Sequence, residues 1–196
     1  EHGKQGLYSL IGVRATTARG MAEKAIDLIM KNLKYNSIPG RTERTRVYGG
    51  NIPKFSRFLK TVLSQNPFGL DDQILTALVR NHGTEYKDVL KYLKDSPDMA
   101  ETIEGTSVLK AEIVHAVRDE MAQKLEDVIF RRTQIGTGEA PDLNTVGACA
   151  DIMAAEAGWS TERTKREIAE VITFAKKRGF LDSQDDEQAQ SDAANA

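Results

Sequence analysis

From Ile52 to Gly179 the apolar residues recur at helical spacing, in blocks separated by capping residues and by Gly or Pro. A chain patterned this way buries its hydrophobic residues by packing helix on helix, so the main body reads as all-α. IPKFSRFLKTVL (52–63) is short and amphipathic, with Pro53 suited to a first turn. LDDQILTALVRNHG is expected to start at Asp71 or Asp72 as cap and to stop at Gly83. Thr84 is expected to cap EYKDVLKYLKD, and Pro97 closes that region. In TSVLKAEIVHAVRDEMAQKLEDVIFRRTQIG, Leu109, Ile113, Val117 and Met121 fall on one stripe. Leu125, Val128 and Ile129 continue it, so the segment reads as helix up to Gly136. LNTVGACADIMAAEAG is a small-residue helix able to pack closely. Ser160 then caps a last helix with Ile168, Val171, Ile172 and Ala175 inside; Lys176, Lys177 and Arg178 suit its C-terminal dipole, and Gly179 ends it.

A different pattern precedes these helices. The apolar run Leu7–Ile11 stops at Gly12, small hydroxylated residues follow, and Ala22, Ala25, Ile26, Ile29 and Leu33 mark an amphipathic helix from about Thr17 to Leu33. Thr16 or Thr17 is the expected N-cap. Strand, loop and helix in this order are how a buried strand delivers a loop to a cofactor. Almost nothing stands before it, so Leu7–Ile11 lack parent strands; we expect them to be disordered, to fold back on the helices, or to pair with another copy. The chain begins at Glu1 and not at Met, which reads as a fragment or a trimmed chain.

The expected organisation is therefore a strand-loop-helix remnant of an α/β domain at 1–35, an exposed Arg-rich linker at 36–52, a multi-helix domain at 53–181 and a disordered acidic tail at 182–196. With 196 residues, of which 40% are hydrophobic, the chain can build a core of its own. A formal net charge of −2 gives no general pull toward nucleic acid or acidic membrane. Arg163, Lys165 and Arg166 on the last helix are interspersed with glutamates, so the two final helices are not read as a DNA-binding helix-turn-helix. The one cysteine, Cys149, excludes an internal disulfide and a cysteine-cluster metal site, and reads as a core residue of the Ala-rich helix. No apolar run is long enough to span a membrane and no signal peptide is visible. A cytoplasmic location is expected, with the inner face of the membrane open as a peripheral site for a longer protein that contains this chain.

No catalytic residue and no metal site is assigned. His2, His82 and His115 are far apart in sequence and fit no metal-ligand spacing, and His115 is read as structural or surface-bound. No GxSxG elbow, P-loop or GxGxxG is present. Arg131 and Arg132 suit a helix C-terminus and can pair with Glu126 or Asp127. The opening loop is the remaining candidate. Gly12 permits close backbone approach to a ligand, Arg14 adds a cation able to fork onto a phosphate or carboxylate, and the following helix N-terminus carries free N–H groups and partial positive charge. Such an end, aimed at the N1/O2 edge of a flavin, would stabilise the charge that develops on reduction.

SLIGVRATTARGMAEKAID resembles the closing strand-loop-helix of the flavin domain in FAD-dependent glycerol-3-phosphate dehydrogenases, whose pattern is close to G-G-K-x-T-T-x-R-x-M-A-E; Gly12, Thr16, Thr17, Arg19, Met21, Ala22 and Glu23 match it. LVRNHGTEYKDVL is similar to that family's YGT helix junction, AEIVHAVRDEMAQKLEDVIFRRTQIG to its AE…Y.V..E.A…DVL.RRT.LG block, and CADIMAAEAGWS with the helix after it also fits. The resemblance runs over about residues 7–180. It implies part of a flavoenzyme in which FAD accepts a hydride from C2 of sn-glycerol 3-phosphate, giving dihydroxyacetone phosphate, with electrons passing to quinone or, in oxidase members, to oxygen. It further implies that Gly12, Thr16 and Thr17 lie beside the flavin and that Arg14, at the family's lysine position, helps hold the substrate phosphate. Val13 replaces the second glycine and Ala18 an aromatic residue, departures that bear on substrate identity. The expected partners are the rest of the chain's own FAD domain, the substrate, the electron acceptor and, as a further option, a second copy in a homodimer; no nucleic acid is expected. By itself the chain is expected neither to bind FAD nor to turn over substrate. The alternative reading is a non-enzymatic helical protein-interaction domain.

Overall fold

The computed structural model describes residues 6–12, 14–36, 38–138 and 140–179. The expected acidic tail at 182–196 lies outside them. The chain divides into one compact unit ending at Tyr48 and another beginning at Gly49.

In the first unit a 3-10 turn at Ala15–Thr17 leads into α1 (Ala18–Asn32). No strand forms over residues 7–12, where a buried one was expected, and Leu7, Leu10 and Ile11 are exposed. The physical reason is the lack of a neighbour: a single extended segment cannot satisfy its own N–H and C=O groups, and no second strand exists to pair with it among the described residues. The segment lies against α1, with the Asn32 amide donating to the Tyr8 hydroxyl at 2.9 Å. Arg19 pairs with Glu23 one turn on at 2.7 Å and also reaches Thr42 at 3.2 Å.

The second unit is helical throughout: α2 (Phe55–Gln65), α3 (Asp72–His82), α4 (Tyr86–Leu90), α5 (Tyr92–Asp95), α6 (Lys110–Arg118), α7 (Leu125–Asp127) running into a π-helical turn at Val128–Arg132, α8 (Leu143–Ala157) and α9 (Thr161–Lys177). Thr102 and Leu109 form an isolated antiparallel bridge. Caps set several boundaries. Asp71 accepts from the Gln73 N–H at 2.7 Å, Asp142 from Asn144 and Thr145 at 2.8 and 3.2 Å, and Ser160 from Arg163 at 3.3 Å. Two core clusters share α6 as a common wall. Leu109 and Ala111 face Leu75, Leu78, Val79 and Val89, whereas Ile113 and Ala116 face Leu125, Val128, Cys149 and Met153. These side chains are almost fully buried, and that burial supplies the main driving force for the unit.

Three local expectations are corrected. Pro53 sits ahead of α2, whose N-cap is Lys54, and not in its first turn. Thr84 does not cap the next helix; it lies in a 3-10 turn at Gly83–Glu85, its hydroxyl bonded to Glu85 at 2.7 Å, and the helix after it is broken at Lys91. The long helix expected through residue 136 breaks after Arg118. Met121 takes a left-handed φ of 57° and is exposed, and a fresh helix start is built at 123–125. There Asp127 accepts from the Gln123 and Lys124 N–H groups at 3.1 and 3.0 Å, and Glu167 of α9 accepts from the Leu125 N–H at 3.0 Å. Side-chain acceptors from within and from a distant helix take over donors that a continuous helix would have used internally.

Candidate functional site

The four residues singled out in the opening loop lie together in the first unit, all exposed. The turn is closed on the Arg14 carbonyl, which accepts from the Thr17 N–H at 3.2 Å and from the Thr17 hydroxyl at 3.0 Å. Thr17 occupies the N-cap position of α1, yet its side chain does not cap; the first turn of α1 also carries no acidic residue. The 3-10 turn feeds directly into α1, and the Thr17 and Ala18 N–H groups donate to the Arg14 and Ala15 carbonyls. Gly12 lies against the tip of the Met21 thioether of α1. Among the described residues the Arg14 guanidinium makes no ion pair or hydrogen bond. An exposed cation beside the positive end of a helix suits an anionic ligand edge, which is the chemistry a flavin and a phosphate present.

A second concentration of polar groups lies inside the helical unit, on the face of α6 that turns toward α3 and α4. Glu112 and His115 are each 2% exposed. The Glu112 carboxylate accepts from the Leu109 N–H at 3.0 Å, from the Asn81 amide at 3.4 Å, and bonds His82 Nε2 at 3.0 Å. His115 Nδ1 bonds the Asp119 carboxylate at 2.8 Å; the same oxygen accepts from the Tyr92 hydroxyl at 2.8 Å and from Lys91 at 2.9 Å. Burial alone would raise the Asp119 carboxyl, but hydrogen bonds from Lys91, Tyr92 and His115 outweigh it and hold the group below its ordinary range. The imidazoles of His82 and His115 meet edge to face, 5.5 Å between centroids.

Sequence spacing hid this cluster, because His82 comes from the end of α3 and His115 from the middle of α6. The legible trace was within α6 itself: Glu112 and His115, one turn apart, interrupt an otherwise apolar face. His115, read as structural or surface, is buried and hydrogen-bonded to Asp119. Arg131 pairs with Glu126 at 3.1 Å and Asp127 at 2.8 Å, as expected.

The family model for the C-terminal domain of alpha-glycerophosphate oxidase matches residues 40–164. The chain belongs to this family. The alpha-glycerophosphate oxidase C-terminal domain thus accounts for the helical unit from α2 to the start of α9. Curated relatives match a longer stretch of the chain than the family model does. The chain is 31% identical to the glycerol-3-phosphate dehydrogenase of Mycobacterium leprae over 84% of its own length and 28% of that protein. It is 28% identical to the glycerol-3-phosphate dehydrogenase of Synechocystis over 93% of its length and 33% of that protein. To the probable mitochondrial glycerol-3-phosphate dehydrogenase of Dictyostelium discoideum it is 27% identical over 88% of its length and 27% of that protein. The chain therefore spans about a third or less of these relatives. Among the described residues no helix is long and apolar enough to cross a membrane.

Proposed function

We infer that this chain is the closing part of a flavin-dependent glycerol-3-phosphate dehydrogenase, contributing the last loop of the flavin domain and the helical domain behind it. The observation that carries this reading is the exposed Arg14 at the head of the 3-10 turn Ala15–Thr17, its guanidinium unpaired among the described residues, in a chain whose relatives are named for that activity.

In this reading Arg14 forks onto the phosphate of sn-glycerol 3-phosphate, fixing the substrate by its charged end. Gly12 keeps the loop close to α1 and to the ring that would lie over it. Thr16 and Thr17, with the partial positive charge of the helix start, would lie near the flavin ring edge and would favour negative charge there. FAD, when bound by the complete protein, supplies two-electron acceptance from substrate C2, yielding dihydroxyacetone phosphate, with quinone or another acceptor taking the electrons onward. The helical unit packs its own core and contributes no reacting group. The 196 residues by themselves hold no FAD and turn over no substrate.

The test is anaerobic addition of sn-glycerol 3-phosphate to the full product of the gene. Loss of the oxidised-flavin absorbance on addition is the expected result. A preparation that carries no flavin, or whose flavin stays oxidised with this substrate, overturns the assignment.

A further inference from the structure

The geometry points to a divalent-metal site in the helical unit, with His82, His115 and Glu120 as ligands and a zinc-class ion as the occupant. One donor atom from each of these three residues lies within 4.8 Å of the other two. His115 Nε2 is 3.9 Å from Glu120 Oε1, and the Glu120 side chain is 23% exposed, so the pocket opens to water on that edge.

The hydrogen bonds around the two rings set their donor and acceptor nitrogens. Glu112 receives a backbone N–H and an amide N–H, which only an oxygen acting as acceptor can do, so the His82 nitrogen bonded to it serves as donor. Asp119 likewise accepts from Lys91 and Tyr92, so His115 Nδ1 donates to it. With one nitrogen of each ring donating in this way, the other nitrogen is the one that can turn to a metal ion. A histidine whose second nitrogen donates to a carboxylate is the arrangement found around bound metals, because the carboxylate fixes the tautomer and raises the basicity of the ligating nitrogen. Here both histidines have it.

Two neutral imidazoles and one carboxylate make a nitrogen-rich, borderline-soft set that suits zinc-class ions better than magnesium or calcium. Three protein ligands leave a fourth position for water on the Glu120 edge. Ligand distances of about 2.0–2.2 Å require the three donors to draw together; the partly exposed Glu120 side chain can supply that movement. The cations nearby are each paired with a carboxylate. Lys91 bonds Asp119, Arg118 forks onto Glu156 at 2.5 and 2.8 Å, and Arg132 faces the other Glu120 oxygen at 3.8 Å. The ion would tie the end of α3 to α6 and to the left-handed turn at Met121. Its role is to brace the helical unit, independent of the flavin chemistry.

The experiment titrates Co²⁺, as a spectroscopic substitute for Zn²⁺, into the tag-free 196-residue chain after stripping with a chelator. One Co²⁺ per chain, with the visible d–d absorption of a four- or five-coordinate site that Zn²⁺ displaces, is expected. Glu120→Ala alters a partly exposed side chain, and His82→Gln keeps a donor for Glu112, so both leave the fold measurable by circular dichroism; each should weaken Co²⁺ binding by about 100-fold or more. Absence of the absorption in the unaltered chain, or equal affinity in either variant, overturns the site.

Discussion

Glu167 in the middle of α9 accepts a hydrogen bond from the Leu125 backbone N–H at 3.0 Å, with both groups buried. A carboxylate 4% exposed thereby caps a helix start that lies far away in sequence and fixes α9 to α7. Its second oxygen faces Arg163 at 3.6 Å, which itself reaches the Gln123 carbonyl at 3.1 Å. Replacing Glu167 by Ala leaves the Leu125 donor buried and unpaired. The expected loss is about 2–3 kcal/mol of unfolding free energy, read as a lower urea midpoint with an unchanged m-value. Glu167→Gln keeps an acceptor and should lose less than half as much. Equal losses for the two variants would mean that packing, not the hydrogen bond, is what Glu167 supplies.

Gly83 has φ 59° and ψ −129°, and a side chain there would strike the Gly49 carbonyl, which accepts from the Thr84 N–H at 2.9 Å. Gly83→Ala should destabilise by about 3 kcal/mol through backbone strain and the displaced carbonyl. Gly147 in α8 is the control, since nothing lies within 4 Å of its missing Cβ. Gly147→Ala is expected to stabilise by roughly 0.5–1 kcal/mol. Thermal denaturation of the two variants side by side checks both signs.

Burial pushes the Cys149 thiol up to about 12. The folded state therefore holds this proton more tightly than the unfolded chain does. Stability from the thiol is fully present below the unfolded value of 9.0 and is lost progressively as pH rises from there through the folded value. Two measurements check this. At pH 8 a disulfide reagent should label Cys149 only at the rate of unfolding. Above pH 9, Cys149→Ala should lose stability less steeply than the unaltered chain.

Much of the helical unit is legible in the sequence, because its signals are local. Asp71 and Ser160 announce α3 and α9 by their caps, and Gly83 and Gly179 follow the ends of those helices as expected. The break at Arg118 is not legible. The apolar period runs on through Met121, and the competing acceptor, Glu167, belongs to another helix. The histidine cluster escapes for the same reason: no spacing rule joins the end of α3 to α6, and only tertiary packing brings His82 to His115. The strand expected at residues 7–12 was read from composition alone, whereas a strand is a property of a pair. The opening loop was the reverse case. Its residues were nameable from the sequence, and the structure adds that the Thr17 hydroxyl turns back to the Arg14 carbonyl and leaves the start of α1 uncapped.

The most direct test of the account is the role of Arg14 in gripping a phosphate. The full product of the gene, unaltered and as Arg14→Ala and Arg14→Lys, is mixed anaerobically with sn-glycerol 3-phosphate and with glycerol, and flavin reduction is followed. Loss of one partner of a charge-assisted pair predicts about 30-fold or more weaker saturation by sn-glycerol 3-phosphate in Arg14→Ala, partial recovery in Arg14→Lys, and no change in the slow reaction with glycerol. Saturation by sn-glycerol 3-phosphate that is the same with and without the Arg14 guanidinium would contradict it.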